Sequence, residues 1–432
     1  MKSIATFFTY FWIFYFPTCI AFNTLPGFSS IDEAMTFILI GYTFMVKRKW
    51  CINKKPFKEY YIFLYILTFY IIYSLIWGEN VAGGIFLEFL QQIRPYSIIY
   101  CTWILNPQLS QKQKDRIALS VVLTLLARTI IRNEGAGGQE DLSAGQMAIC
   151  AGMIWSVFKD NTKRNKYISV FLVLFGLISA TKSKFFGEVI CFVGIFFFMK
   201  RKVDLFSGKM FFLILTLGLI VLSFVWDKFS SYYVTGMEDN SGIARAESLK
   251  VAFTQIIWDY IPFGPGMGTF ASNGAWKYYS PLYHKYGLDN IWGLNSGGGF
   301  ICDIFYPSLT QYGLVGIFLF GWFWKRRLDG LNYIIDIKYY RVALMTFLCI
   351  VIEQMADSSL LSGKGMGYCM LIGLCLNANR NQGYTDTGIP IDDEEDDDEE
   401  EEKEDNIDES SNNETNLRED YYRYHPQKNT LK

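Results

Sequence analysis

The stretches "IATFFTYFWIFYFPTCIAF" (4–22), "YYIFLYILTFYIIYSLIW" (60–77), "MFFLILTLGLIVLSFVW" (210–226) and "LVGIFLFGWFW" (314–324) constrain this chain more than any other feature. Each is apolar on every face of a helix, not on one stripe, so it must be buried in protein or in lipid. About 20 helical residues cross the roughly 30 Å hydrocarbon layer of a bilayer. A soluble enzyme has buried segments as apolar as these, but not so many uninterrupted runs. The hydrophobic residues, 51% of the 432, are gathered largely into such runs. The expectation is an all-α polytopic membrane protein of about twelve spans. They lie near 4–22, 29–46, 59–77, 82–105, 117–131, 143–158, 167–181, 185–199, 210–226, 303–324, 339–356 and 364–378. The first run is too long for a typical signal-peptide core and lacks a small-x-small cleavage site, so it reads as a span. A cleaved signal peptide is the alternative.

Orientation follows from the basic connections. "KRKWCINKKPFK" (47–58), "QKQKDR" (111–116), "KDNTKRNK" (159–166), "KRKVDLFSGK" (200–209) and "KRRLDG" (325–330) fall after the even-numbered spans 2 to 10. The intervening "NTLPGFSSIDE", "GENVAGG" and "DSSLLSG" are nearly free of Lys and Arg. Both termini are therefore expected in the cytoplasm. The net charge of −2 hides a basic body and an acidic end, "IDDEEDDDEEEEKED" (391–405). Like-charged blocks do not fold alone. Residues 384–432 read as a disordered cytoplasmic tail, solvated in the bland case and regulatory or partner-binding in the other. The nine cysteines show no paired spacing and the chain has only His284 and His425, which argues against a disulfide framework or a zinc or histidine-rich metal site.

One connection is out of proportion. Residues 1–226 carry spans 1–9 and residues 303–380 carry spans 10–12. Between them, residues 227–302 form an outer loop too long to lack its own structure. The loop contains "ARAESLKVAFTQIIWDYIPFGPGMGTF" (244–270), where Leu249, Ala252, Phe253, Ile256 and Tyr260 follow helical spacing up to Pro262. That predicts an amphipathic helix on the membrane surface or on the bundle. "GPGMG" (264–268) marks a turn; without a Walker-type lysine it is not a nucleotide loop, although its backbone amides could meet a polar ligand.

Charges placed where charge is costly carry the functional signal. These are Lys182 and Lys184 in "ISATKSKFFGE", Arg245 and Lys250 in the loop, Arg128 and Arg132 around the fifth span, and Arg94 within the fourth. Glu88, Gln91 and Gln92 share one helical face, as either a polar seam between helices or a substrate lining. The two lysines are either snorkelling anchors or part of a phosphate site, since fixed cations stabilise a phosphate leaving group.

At this point the residues resemble the bacterial O-antigen ligase and O-antigen polymerase superfamily. "ATKSKFFG" (180–187) is similar to that family's serine-arginine turn, with Lys184 at the arginine's place. "RAESLKVAFTQIIWDYIPFGPGMGTF" resembles its loop helix and glycine piece, with Arg245 as the arginine. "CDIFYPSLTQYGLVG" (302–316) stands where a His-Asn step leads into the next span, with Cys302 and Asp303 at those positions. The resemblance covers roughly residues 167–324 and implies a C-type glycosyltransferase architecture in the bacterial inner membrane, working without metal or other cofactor. It implies transfer of a glycan, of lipopolysaccharide or capsule type, from an undecaprenyl diphosphate carrier to an acceptor sugar. Implied partners are membrane lipid, a flippase and chain-length proteins, with no nucleic acid. Arg245, Lys184, Lys182, Lys250 and Arg94 would bind the diphosphate, and Asp303 or His284 would serve as base. The missing ligase histidine and the lysine replacing arginine favour repeat-unit polymerase over ligase. A twelve-span secondary transporter is the rival; it calls for two related halves, and no internal repeat is visible.

Overall fold

The computed structural model describes residues 2–23, 31–47, 54–130, 144–178, 183–202, 207–230, 242–355, 357–361 and 363–385. Lys182, Arg132 and the acidic tail lie outside the described residues. Among the described residues all regular secondary structure is helical, with no strand.

Helices cover most of the expected apolar segments. They are α1 (Lys2–Asn23), α2 (Ile31–Lys47), α3 (Lys54–Trp77), α4 (Ala82–Leu105), α5 (Gln111–Ile130), α6 (Ala144–Phe158), α7 (Lys163–Phe175), α8 (Ser183–Val193) and α9 (Gly208–Phe229). The loop contributes α10 (Ala244–Val251), α11 (Ile257–Asp259), α12 (Asn273–Tyr278) and α13 (Leu282–Lys285). The last three are α14 (Gly313–Asn332), α15 (Ile337–Gln354) and α16 (Gly363–Leu376). Among the described residues only α3, over Lys55–Trp77, is long and apolar enough to cross a membrane by length and composition alone; α6 and α16 are apolar but shorter.

The helix α4 is the axis of the bundle. It packs against α2, α3, α16 and the loop helix α12, and every residue from Gln91 to Leu105 is buried. Around it, α6 packs on α5 and α7, and α15 on α16, α8 and α6. One large apolar core joins these helices, with Phe8, Trp12, Ile98, Cys150, Phe192, Met345 and Ile372 fully inside. Cys101, Cys150, Cys191, Cys302, Cys349, Cys369 and Cys375 are buried and form no disulfide. The outward faces are apolar as well. On α3, Ile62, Tyr65, Phe69, Ile72 and Ile76 are exposed at helical spacing, a stripe turned away from the core.

Two expectations are corrected. The tenth segment was placed from residue 303, but residues 306–312 form a 3₁₀ segment and α14 starts at Gly313. Pro307 withholds an N–H near the start of that segment. Gly313 has φ +61°, and a Cβ there would lie 2.4 Å from the Gly264 nitrogen, so only glycine fits the turn. The loop helix is also not one regular helix: α10 passes through a π-turn at Ala252–Ile256 before α11. The extra residue rotates the apolar face, so Ser248, Val251, Ala252, Ile256 and Ile257 point inward while Phe253 and Trp258 are exposed.

The loop has its own apolar core of Val251, Ile256, Phe270, Leu282, Tyr283, Leu294 and Ile301. It is clamped to the α3–α4 corner: Tyr73 Oη donates to the Gly264 carbonyl at 2.8 Å, and Asn273 Nδ2 to Gln91 Oε1 at 2.9 Å. Lys285 Nζ donates to Tyr260 Oη at 2.8 Å, which holds the lysine protonated above its ordinary value.

Candidate functional site

Four stretches far apart in sequence meet around residues 353–361, the end of α15 and the connection to α16. Lys184, at the start of α8, has its Nζ 2.9 Å from Asp357 Oδ2 and 3.8 Å from Glu353 Oε2. Glu353 is fully buried, so a cation beside it is what makes its charge tolerable. Next to Asp357, Ser358 Oγ donates to the Cys302 carbonyl at 2.6 Å. Cys302 precedes Asp303, whose carboxylate accepts from both Nε and Nη2 of Arg245. On the fourth side Arg94, 4% exposed, lies 3.2 Å from Glu33 and donates through Nη2 to the Leu361 carbonyl.

Lys184 and Arg245 from two of the sequence motifs, Asp303 from the third and Arg94 of α4 are thus linked to one short stretch through shared neighbours. Arg245 sits in the first turn of α10, where a positive charge opposes the helix dipole. Helix formation does not call for an arginine there; its pairing with Asp303 and its guanidinium 6.0 Å over the Phe300 ring account for the placement. Each cation is matched by a carboxylate, so an incoming anion would exchange partners with the acids and would not enter an all-positive pocket.

The other expected residues stand differently. Lys250 is five residues along α10 from Arg245, about 140° around the helix, and so turns to another side. His284 is 63% exposed, with Nδ1 2.7 Å from Asp289 Oδ2 and its ring edge-on to Tyr279. Among the described residues no hydrogen bond or ion pair joins it to Arg245, Lys184 or Asp303. The amides of "GPGMG" are also occupied. Gly266 N donates to the Gln311 carbonyl at 3.1 Å, Met267 N to Ser74 Oγ at 2.7 Å, and Gly268 N to Gln311 Oε1 at 2.7 Å. This cluster docks the loop and leaves those amides unable to receive a ligand.

The polar seam on α4 is structural in the same sense. Glu88, fully buried, accepts at Oε1 from Gln92 at 2.8 Å and from Gln311 at 3.1 Å. Gln311 in turn holds Gly268, so the seam couples the bundle axis to the loop.

Sequence reasoning missed Glu33, Glu353, Asp357 and the 357–361 connection. The available signal was an acidic pair at i, i+4 closing an apolar run, since a carboxylate in such a place requires a cation. No family model matches the chain, and no curated protein matches it in sequence.

Proposed function

We propose that this chain is a multi-pass glycosyltransferase of the bacterial cytoplasmic membrane. In this reading it acts as a repeat-unit polymerase that moves surface glycan from undecaprenyl diphosphate to an acceptor sugar. The observation that carries the reading is the convergence of Arg245, Lys184 and Arg94, through their partners, on residues 357–361 and Asp303.

The membrane part draws support from the outward faces. Large side chains such as Tyr10, Phe14, Phe171, Phe211 and Phe318 are exposed along the helices of the bundle. Monomeric soluble proteins seldom expose apolar surface on this scale.

The chemistry follows from the pairs. A diphosphate arriving at Arg245 offers more acceptor oxygens and more charge than Asp303, and a planar guanidinium binds two of them at once. Asp303 is then released beside the donor. As the acceptor hydroxyl forms the new glycosidic bond, its proton passes to Asp303 and the sugar–phosphate bond breaks. The bonding pair leaves with the lipid diphosphate, whose growing charge Lys184 and Arg245 hold.

The test is complementation of a gene deletion with Arg245→Ala, followed by gel analysis of lipid-linked and surface glycan. Long glycan should disappear at unchanged protein level, matching a loss of about 3 kcal/mol of transition-state stabilisation. Single units left on lipid indicate a polymerase and long chains stranded on lipid a ligase. A normal chain-length ladder would end the proposal.

A further inference from the structure

A second polar site lies in the C-terminal half of α14, where the basic stretch 325–330 forms part of the helix, apart from the Arg245 cluster. A cavity of about 130 Å³ runs between α3, α4 and α14. Its walls are apolar and aromatic, with Ile66, Phe63, Leu319 and Phe320 among them; Gln92 and Tyr312 line one end, and Glu59, Arg326 and Arg327 line the other. From Glu59 to Tyr70 on α3, or Gly316 to Arg327 on α14, is eleven residues, about 16 Å of helix. That is roughly half the thickness of a bilayer's hydrocarbon layer, or the depth of one leaflet.

The cationic end is built for an occupant. Arg327 is only 3% exposed and stacks on Trp103, Tyr100 and Phe323 at 4.7, 5.3 and 5.4 Å from the ring centroids. Its Nη2 meets Glu59, but Nε and Nη1 are buried with no hydrogen-bond partner among the described residues. Arg326 uses the same carboxylate at 2.7 Å. Two guanidinium groups therefore share one acid, leaving a net positive charge at the mouth of an apolar cleft and two buried donors without an acceptor.

We infer that this cleft binds one acyl chain of an acidic phospholipid of the cytoplasmic leaflet, with its phosphate on Arg326 and Arg327. A zwitterionic lipid supplies the chain but brings a compensating cation to a site already positive. Free phosphate supplies the charge but leaves the apolar cleft unfilled. Basic pockets between membrane helices on the cytoplasmic side suit acidic headgroups for this reason. The inference rests on the membrane reading above and is independent of the transferase reading.

The experiment uses the full chain in detergent, reconstituted with phosphatidylglycerol, phosphatidylcholine or inorganic phosphate. Native mass spectrometry reads the retained lipid, and thermal unfolding reads stability. Phosphatidylglycerol should survive delipidation at least tenfold better than phosphatidylcholine and raise the unfolding temperature by several degrees, while inorganic phosphate leaves it unchanged. R327Q should reduce phosphatidylglycerol retention about tenfold. L319W, which fills the cleft without touching the cations, should do the same and carries the test if R327Q does not fold. Equal retention of the two lipids, unchanged retention in L319W, or equal stabilisation by inorganic phosphate would overturn the inference. A chain that stays soluble and monodisperse without detergent would instead overturn the membrane reading.

Discussion

At the scale of single residues, two carboxylates that both hold cations are expected to behave differently. Asp303 pairs with Arg245, whereas Asp357 shares Lys184 with Glu353. If Asp303 also takes the acceptor's proton, Asp303→Asn should lower the rate of transfer from a purified lipid-diphosphate donor by 10²–10⁴-fold. It should also abolish the acid limb of the pH–rate profile. Asp357→Asn should cost far less, since Glu353 still orients the lysine. Equal small losses would reduce Asp303 to positioning Arg245. The cations were legible in the sequence because a charge beside apolar runs stands out wherever it folds. Their partners were not. Glu33 lies 61 positions before Arg94 and Asp357 lies 173 after Lys184, and such pairings arise only when the helices pack. His284 is the reverse case: rarity singles it out in the sequence, while its pairing with Asp289 arises only within the folded loop.

At the scale of elements, apolar runs predicted helices well because hydropathy is a local property. The expected tenth segment begins too early because Ile304, Phe305 and Leu309 extend the apolar signal, although Asp303, Gln311, Pro307 and Gly313 mark the break before α14. The π-turn after α10 was invisible to any argument from a regular 3.6-residue period. How the loop meets α4 was equally hidden, since a glycine contact leaves no hydropathy signal. At Gly268, φ is +72° and a Cβ would lie 2.5 Å from the Gly84 carbonyl oxygen; at Gly274 it would lie 2.4 Å from the same oxygen. Gly268→Ala should therefore destabilise by about 1–3 kcal/mol, from overpacking and from a left-handed backbone imposed on alanine. Gly299 has open space and no positive φ, so Gly299→Ala should be close to neutral. Thermal unfolding in detergent compares the two. Equal stability would mean that the loop is not seated on α4 through this contact.

At the scale of the molecule, the reading requires the Arg245 cluster to face away from the cytosol. A lipid-linked glycan is proposed as substrate on the outer side, and the basic connections keep the opposite face inside. Single-cysteine labelling tests this directly. Seven of the nine cysteines, all except Cys19 and Cys51, are buried, so a background with Cys19 and Cys51 changed to serine should give little signal of its own. Trp292→Cys lies on the loop at a side chain 79% exposed, and Lys112→Cys lies at an exposed position in the basic first turn of α5. In intact cells an impermeant maleimide should label the Trp292→Cys protein and leave Lys112→Cys unlabelled until the membrane is permeabilised. Labelling at both sites in intact cells would remove the barrier between them, and with it the multi-pass arrangement. The reversed pattern would keep the membrane but turn Arg245, Lys184 and Asp303 toward the cytosol. A glycan displayed on the outer surface could not be joined there, so the transferase reading would fail even with the cluster's geometry intact.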